Sequence, residues 1–240
     1  KKVIEILTGK EPASQETSAP TNELLLIRVC SPVDIMVISP SGQRLGKDFA
    51  GAGEHSEIAG GFYSGFDTEM EFITIPNPED GGYTISLQGM EDGLYRVGVD
   101  LLADDLPDTQ ELLIPGISSE DKVENFTFNI IEECQEQPEL IKEISFSGLI
   151  LDLEALNSAG EILKKQAYNS LGARLAGLEK RYEKMSEKKS GWQMEIQKKR
   201  IISNLKLIKT QLKTFKDKNW ISTDAFNILI YDIDSLIKQL

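Results

Sequence analysis

Between Ile131 and Ile150 the hydrophobic period of this chain changes. Before that point apolar residues alternate with polar ones in short runs, each closed by Gly, Pro, Asn or Asp. After it they recur three and four residues apart. A strand repeats every two residues and a helix every 3.6, so one kind of element cannot satisfy both patterns. The chain must build strands first and helices second.

The strand half opens with ELLLIRVCSPVDIMVISPSGQRLG, Glu23 to Gly46. Leu24 to Val29 is an apolar run of strand length, broken by Ser31-Pro32. Val33 to Ser39 resumes it, rich in β-branched residues, and Ser39-Pro40-Ser41-Gly42 is a turn. These two strands read as the pair to which later ones are added. A Gly-rich loop follows, Lys47 to Gly65. Further strands are expected at Glu71 to Ile75, Tyr83 to Leu87, Leu94 to Leu102, Glu111 to Ile114 and Val123 to Ile131. Glu91-Asp92-Gly93 is a hairpin signal. Roughly seven or eight short strands at this spacing predict an antiparallel β-sandwich, with one face of each strand inward and one in water.

In the helical half, Leu149 to Leu156 starts a short helix that Asn157 to Gly160 ends. Tyr168, Leu171, Leu175, Leu178, Tyr182 and Met185 mark a second. Met194, Ile201, Ile208 and Phe215 step by seven in a third, with Leu205 and Leu212 between them, and Asn219 closes it. The last carries Phe226, Leu229, Ile230, Ile233, Ile237 and Leu240. Ser222 is its N-cap, and Ile221 with Phe226 forms a hydrophobic staple. Single apolar stripes need one another, which predicts an antiparallel bundle of three or four helices. The organisation expected is the end of an upstream helix plus a linker over 1–22, the sandwich over 23–135, a linker over 136–147 and the bundle over 148–240.

Charge follows the same division. Residues 1–135 carry a net charge of −17 and residues 136–240 a net of +4. The acidic half repels nucleic acid and anionic lipid, and suits calcium, a basic partner or simple solubility. No run approaches 18 apolar residues, so no membrane insertion is expected. The opening KKVIEILTG reads as the last turns of a helix belonging to something upstream. Cys30 ends the first strand and Cys134 lies just past the last expected one, so a sandwich can place both at the same end. A bridge there would contribute roughly 4–5 kcal/mol in the chain-entropy model. The alternative is two thiols, one of them buried.

Chemistry is sparse. His55 is the only histidine, in a Gly-rich polar loop, with no G-x-S-x-G elbow in the chain. A hydrolase would have to use it. The glycines of that loop match no phosphate-binding pattern. Phe62, Tyr63 and Phe66 beside them either stack on a ligand such as a sugar or cap the core. Asp67, Glu69 and Glu71 alternate and so share one side of an extended segment. With Asp34 they are the candidate calcium ligands, and Asp100, Asp104, Asp105 and Asp108 add acidic density at strand ends. The plain alternative is a solvated acidic face. The lysine-rich faces of the helices read as solvated, with interleaved glutamates.

Two resemblances add to this. SPVDIMVISPSGQRLG (Ser31 to Gly46), EIAGGFYSG (Glu57 to Gly65) and EFITIPNPEDGGYTISLQG (Glu71 to Gly89) together resemble a β-sandwich module of secreted bacterial proteins. That module often follows a lipase-like α/β-hydrolase or peptidase domain, and the likeness covers about residues 23–131. AYNSLGARL (Ala167 to Leu175) with ISTDAFNILIYDIDSLI (Ile221 to Ile237) is similar to FIMAH-type C-terminal helical domains of extracellular bacterial proteins. Neither supplies catalytic residues. Both imply an extracellular or cell-surface accessory region beside an upstream hydrolase-like domain, contacting a surface polymer or a protein. The loop from Gly51 to Phe66 is the expected contact surface. A purely structural spacer, a calcium-binding module and a hydrolase fragment using His55 are the alternatives.

Overall fold

A computed structural model describes residues 23–30, 32–66, 68–103, 113–131, 137–186 and 191–240. Among the described residues are eleven strands in two antiparallel sheets, followed by four helices. The strands are β1 (Glu23–Cys30), β2 (Val33–Ile38), β3 (Arg44–Lys47), β4 (Glu54–Ser56), β5 (Phe62–Tyr63), β6 (Met70–Pro76), β7 (Gly81–Gly89), β8 (Gly93–Ala103), β9 (Ile114–Ser118), β10 (Val123–Ile130) and β11 (Ile141–Lys142). The helices are α1 (Phe146–Ser158), α2 (Lys165–Ser186), α3 (Gly191–Asp217) and α4 (Thr223–Gln239). One sheet runs β5-β6-β1-β8-β9 and the other β11-β10-β7-β2-β3-β4.

The expected pairing of the first two strands is corrected. β1 lies between β6 and β8 in one sheet, and β2 lies between β3 and β7 in the other. Pro32 stands where the chain leaves one sheet for the other. It has no N–H to give a ladder, and its carbonyl instead accepts from Met90 N at 3.0 Å. The two sheets then share a core. Leu25, Ile27 and Val29 of β1 meet Ile35 and Val37 of β2, Ile85 and Leu87 of β7, and Phe126 and Phe128 of β10. The other face of β1 does not meet water as expected. Leu26 and Arg28 are buried there too, and Arg28 Nη2 lies 2.6 Å from Asp100 Oδ2 on β8.

Two further expectations shift. The Gly-rich loop carries β4 and β5, the short strands at the far edge of each sheet. Of the strand expected at Glu111 to Ile114, Glu111 and Leu112 lie outside the described residues; the described strand there is β9, IPGIS, whose Pro115 and Gly116 disguise it. An edge strand tolerates both residues, because one side of its backbone needs no ladder partner. Tyr95 of β8 stands opposite Gly116 in register, and its ring fills the space a side chain would take.

The helices cover the β9 and β11 side of the sheets. α1 and α4 pack on β9, and α4 also on β11. Ile117 of β9 joins their apolar core with Leu149, Leu153, Ile228 and Leu229. α2 packs on α1, α3 on α2 and α4 on α3. Ser222 is the cap expected of α4, and α1, expected from Leu149, starts a turn earlier on a second serine cap. Ser145 Oγ accepts from Gly148 N at 3.0 Å and Ser222 Oγ from Ala225 N at 2.9 Å. Asn219 takes φ of 53° just past α3, the left-handed turn that ends a helix. The stretch read as a linker, 136–147, carries β11, where Lys142 pairs with Phe126 of β10.

Candidate functional site

The aromatic trio does not form one platform. Phe62 and Tyr63 are neighbours on β5 and so face opposite sides. Phe62 is 54% exposed and rests on Phe72, with ring centroids 5.7 Å apart. Tyr63 donates its hydroxyl to Glu71 Oε2 at 2.7 Å. Phe66 is half-buried beneath Lys47, whose Nζ lies 3.6 Å from the ring centroid. His55, on β4, has its ring beside two carboxylates, Asp48 at 3.5 Å and Glu57 at 3.8 Å. No hydroxyl or thiol is hydrogen-bonded to it among the described residues. Cys30 is half-buried at the end of β1, while Cys134 lies outside the described residues, as do Asp104, Asp105 and Asp108.

Of the four candidate calcium ligands, Asp34 and Glu71 come together, Glu69 is exposed, and Asp67 lies outside the described residues. Glu71 shares the face of Ile73 and Ile75 and is therefore carried inward. Its carboxyl links three elements. It receives the Tyr63 hydroxyl from β5 and the Ile35 amide from β2 at 3.3 Å, and shares a hydrogen bond with Asp34. Burial, together with the neighbouring Asp34 carboxylate, pushes the Glu71 pKa up to about 8 against the opposing pull of Tyr63 and Ile35. Two carboxyls in contact hold one proton between them. Among the described residues no group of three or more His, Cys, Asp or Glu side chains is disposed to hold a metal ion.

A second polar cluster went unread in the sequence. Lys142 Nζ lies 2.8 Å from Glu124 Oε1 on β10, 2.8 Å from Asp152 Oδ2 on α1 and 3.0 Å from Asp232 Oδ1 on α4. Lys122, just before β10, pairs with the same Glu124 at 3.0 Å and with Asp152. Tyr95 donates to Glu124 Oε2 at 2.5 Å. Lys142 and Asp152 are 2% and 0% exposed. Two lysines against three carboxylates leave one negative charge in excess. Asp232 absorbs it: burial pushes its pKa up to about 8 against the attraction of Lys142, and its Oδ2 has no hydrogen-bond partner. Asp152 goes the other way, because Lys142 and Lys122 outweigh the effect of its burial and hold it below the usual range. The cluster fastens two strands to two helices. A signal for it existed. Leu149, Asp152, Leu153 and Leu156 share one helical stripe, and Asp232 stands among Leu229, Ile233 and Leu236 in the same way. A charge within an apolar stripe is either an error or a buried partner.

A cleft of about 730 Å³ lies between the β8–β9 edge and α4. Val99, Leu113, Ile114, Pro115 and Ile230 give it apolar walls. Its polar groups are held in place. Tyr231 donates to Leu140 O at 2.6 Å, Asp234 pairs with Lys209 at 2.5 Å, and Lys238 pairs with Glu139. The Gln137 amide accepts from Leu101 N at 2.8 Å and donates to Leu101 O at 2.9 Å. Asn227 is the cleft's one polar side chain without a partner among the described residues. Apolar walls with a few fixed polar groups are what a binding pocket of this volume needs.

No family model and no curated protein matches this chain. A crystal structure of a domain of unknown function, DUF4425, from Bacteroides vulgatus ATCC 8482 is similar over 48% of this chain and 99% of that one. The identity is 14% and the TM-score 0.24, a likeness too slight to carry an argument. No helix among the described residues is long and apolar enough to cross a membrane.

Proposed function

We propose that this chain is a non-catalytic interaction module of a secreted or surface bacterial protein, acting beside an upstream hydrolase-like domain. In this reading the two sheets form a sandwich, the helices form an antiparallel bundle at its side, and a ligand enters the cleft between β8–β9 and α4. The observation that carries it is that cleft: apolar walls, polar groups locked by their own bonds, and one uncommitted amide at Asn227. A ligand entering such a site displaces water from apolar surface and meets little rearrangement cost. The favoured ligand is a fragment of a surface polymer or a peptide of a surface protein.

Titration calorimetry with purified wall-polysaccharide fragments and surface-protein peptides tests this. One class should bind, Ile230→Arg should abolish that binding by filling the cleft, and Phe62→Ala should leave it unchanged. Binding lost in Phe62→Ala but kept in Ile230→Arg would return the site to the Gly-rich loop. Binding of nothing would leave the spacer reading, which the fastening of strands to helices through Lys142 favours. A generic ester assay, with His55→Ala as control, is expected to give no turnover.

A further inference from the structure

A second surface lies on the helices, away from the cleft. α2 and α3 enclose a groove of about 360 Å³, flanked by Arg174, Gly177, Arg181 and Leu207 and floored by Leu178 and Ile208. Three properties set it apart. Leu207 is 59% exposed. A side chain added at Gly177 would meet nothing within 4 Å, so the groove is open along α2. Arg174 and Arg181 stand seven residues apart on one face, about two turns or ~10 Å. Neither guanidinium has a hydrogen bond or ion pair among the described residues.

Both charged side chains that line the groove are cationic. α2 and α3 together hold twelve Lys and Arg against four Asp and Glu, in a chain whose net charge is −13. We propose that this groove docks an acidic amphipathic helix of a partner protein, its apolar stripe on Leu207 and its carboxylates on Arg174 and Arg181. The apolar floor selects against a bare polyanion, which has nothing to place there. A helical face offers no backbone edge, so an extended peptide would gain no ladder bonds, whereas the ridge of a third helix fits between two others. Arginines two turns apart match carboxylates two turns apart on that helix, and paired guanidinium–carboxylate contacts favour arginine over lysine. This surface is separate from the cleft and does not depend on it.

The probe is a synthetic helical peptide of three heptads, leucine on one stripe and glutamate elsewhere, followed by fluorescence anisotropy against the whole chain. Two comparators are the same peptide with lysine for glutamate, and polyglutamate of equal length. The leucine–glutamate peptide should bind, both comparators at least about tenfold more weakly. Arg174→Glu/Arg181→Glu and Leu207→Asp, each with an unchanged melting temperature, should each lose at least about tenfold. Ile230→Arg in the cleft should bind the peptide as wild type does, which separates this test from that of the cleft. No binding by the wild type, equal binding of polyglutamate, or indifference to both surface variants would each overturn the proposal.

Discussion

At the scale of single residues, Lys142 has the most depending on it. Its ammonium is the shared partner of Glu124, Asp152 and Asp232, all buried. Removing one member of a buried ion group leaves the others uncompensated, at a cost of about 3–5 kcal/mol. Lys142→Ala should therefore lower the stability measured by urea unfolding by about that amount. Lys209→Ala, which breaks the part-exposed pair with Asp234, should cost less than about 1 kcal/mol. Glu71 governs a different property. Its folded pKa of about 8 stands above the ordinary carboxylate value, so the fold keeps a proton that the unfolded chain has lost by about pH 5. The folded state then binds more protons between roughly pH 4 and 8, and stability falls as pH rises through that window. Asp232 has the same sign and Asp152 the opposite one. In Glu71→Gln the Tyr63 bond can persist while this titration is gone. Its stability between pH 5 and 8 should fall less steeply than wild type, by up to about 1.4 kcal/mol per pH unit. An unchanged slope would show that Glu71 does not hold the proton.

At the scale of elements, β8 and β9 depend on what Gly116 lacks. A Cβ there would lie 2.1 Å from Tyr95 Cζ, so any side chain must expel a ring whose hydroxyl is bonded to Glu124 on the opposite sheet. Gly116→Ala should lower the melting temperature and shift the near-ultraviolet tyrosine signal, and adding Tyr95→Phe should recover neither. The same strand shows what sequence reasoning reaches. Long, regular elements were legible: α2, α3 and α4 lie where apolar stripes and the Ser222 cap put them, and β1, β2, β6, β7, β8 and β10 where short apolar runs fall. β9 was not, because Pro115 and Gly116 look like a turn until an edge position is known. The partner of β1 was not, because an apolar run records burial and says nothing of which strand lies beside it. Of the candidate sites, Glu71 and Asp34 were picked out as carboxylates. Their meeting depends on two strands in different sheets, and the cleft depends on β8, β9 and α4, which are distant in sequence.

At the scale of the molecule, strands and helices are one body of contacts. Ile117 and Leu94 lie in the helix core, and five charged groups cross the junction. Both tryptophans, Trp192 and Trp220, are in the helical part, so indole fluorescence reports that part alone. Urea unfolding followed by that fluorescence should coincide with the curve from the buried tyrosines Tyr83 and Tyr95 of the sheets. Separate midpoints would show that the junction is too weak to couple them.

Gln137 has a consequence for the fate of the protein in concentrated solution. β8 continues to Ala103, but among the described residues its ladder with β9 runs only to Val97, and beyond it the Leu101 backbone is answered by the two atoms of one side-chain amide. That amide plays the part of a neighbouring strand without being one. An unanswered strand edge recruits the edges of other molecules. Gln137 is thus a stopper against edge-to-edge polymerisation. Gln137→Ala should leave the fold in place at low concentration, yet scatter light and bind an amyloid dye on prolonged incubation well before wild type does.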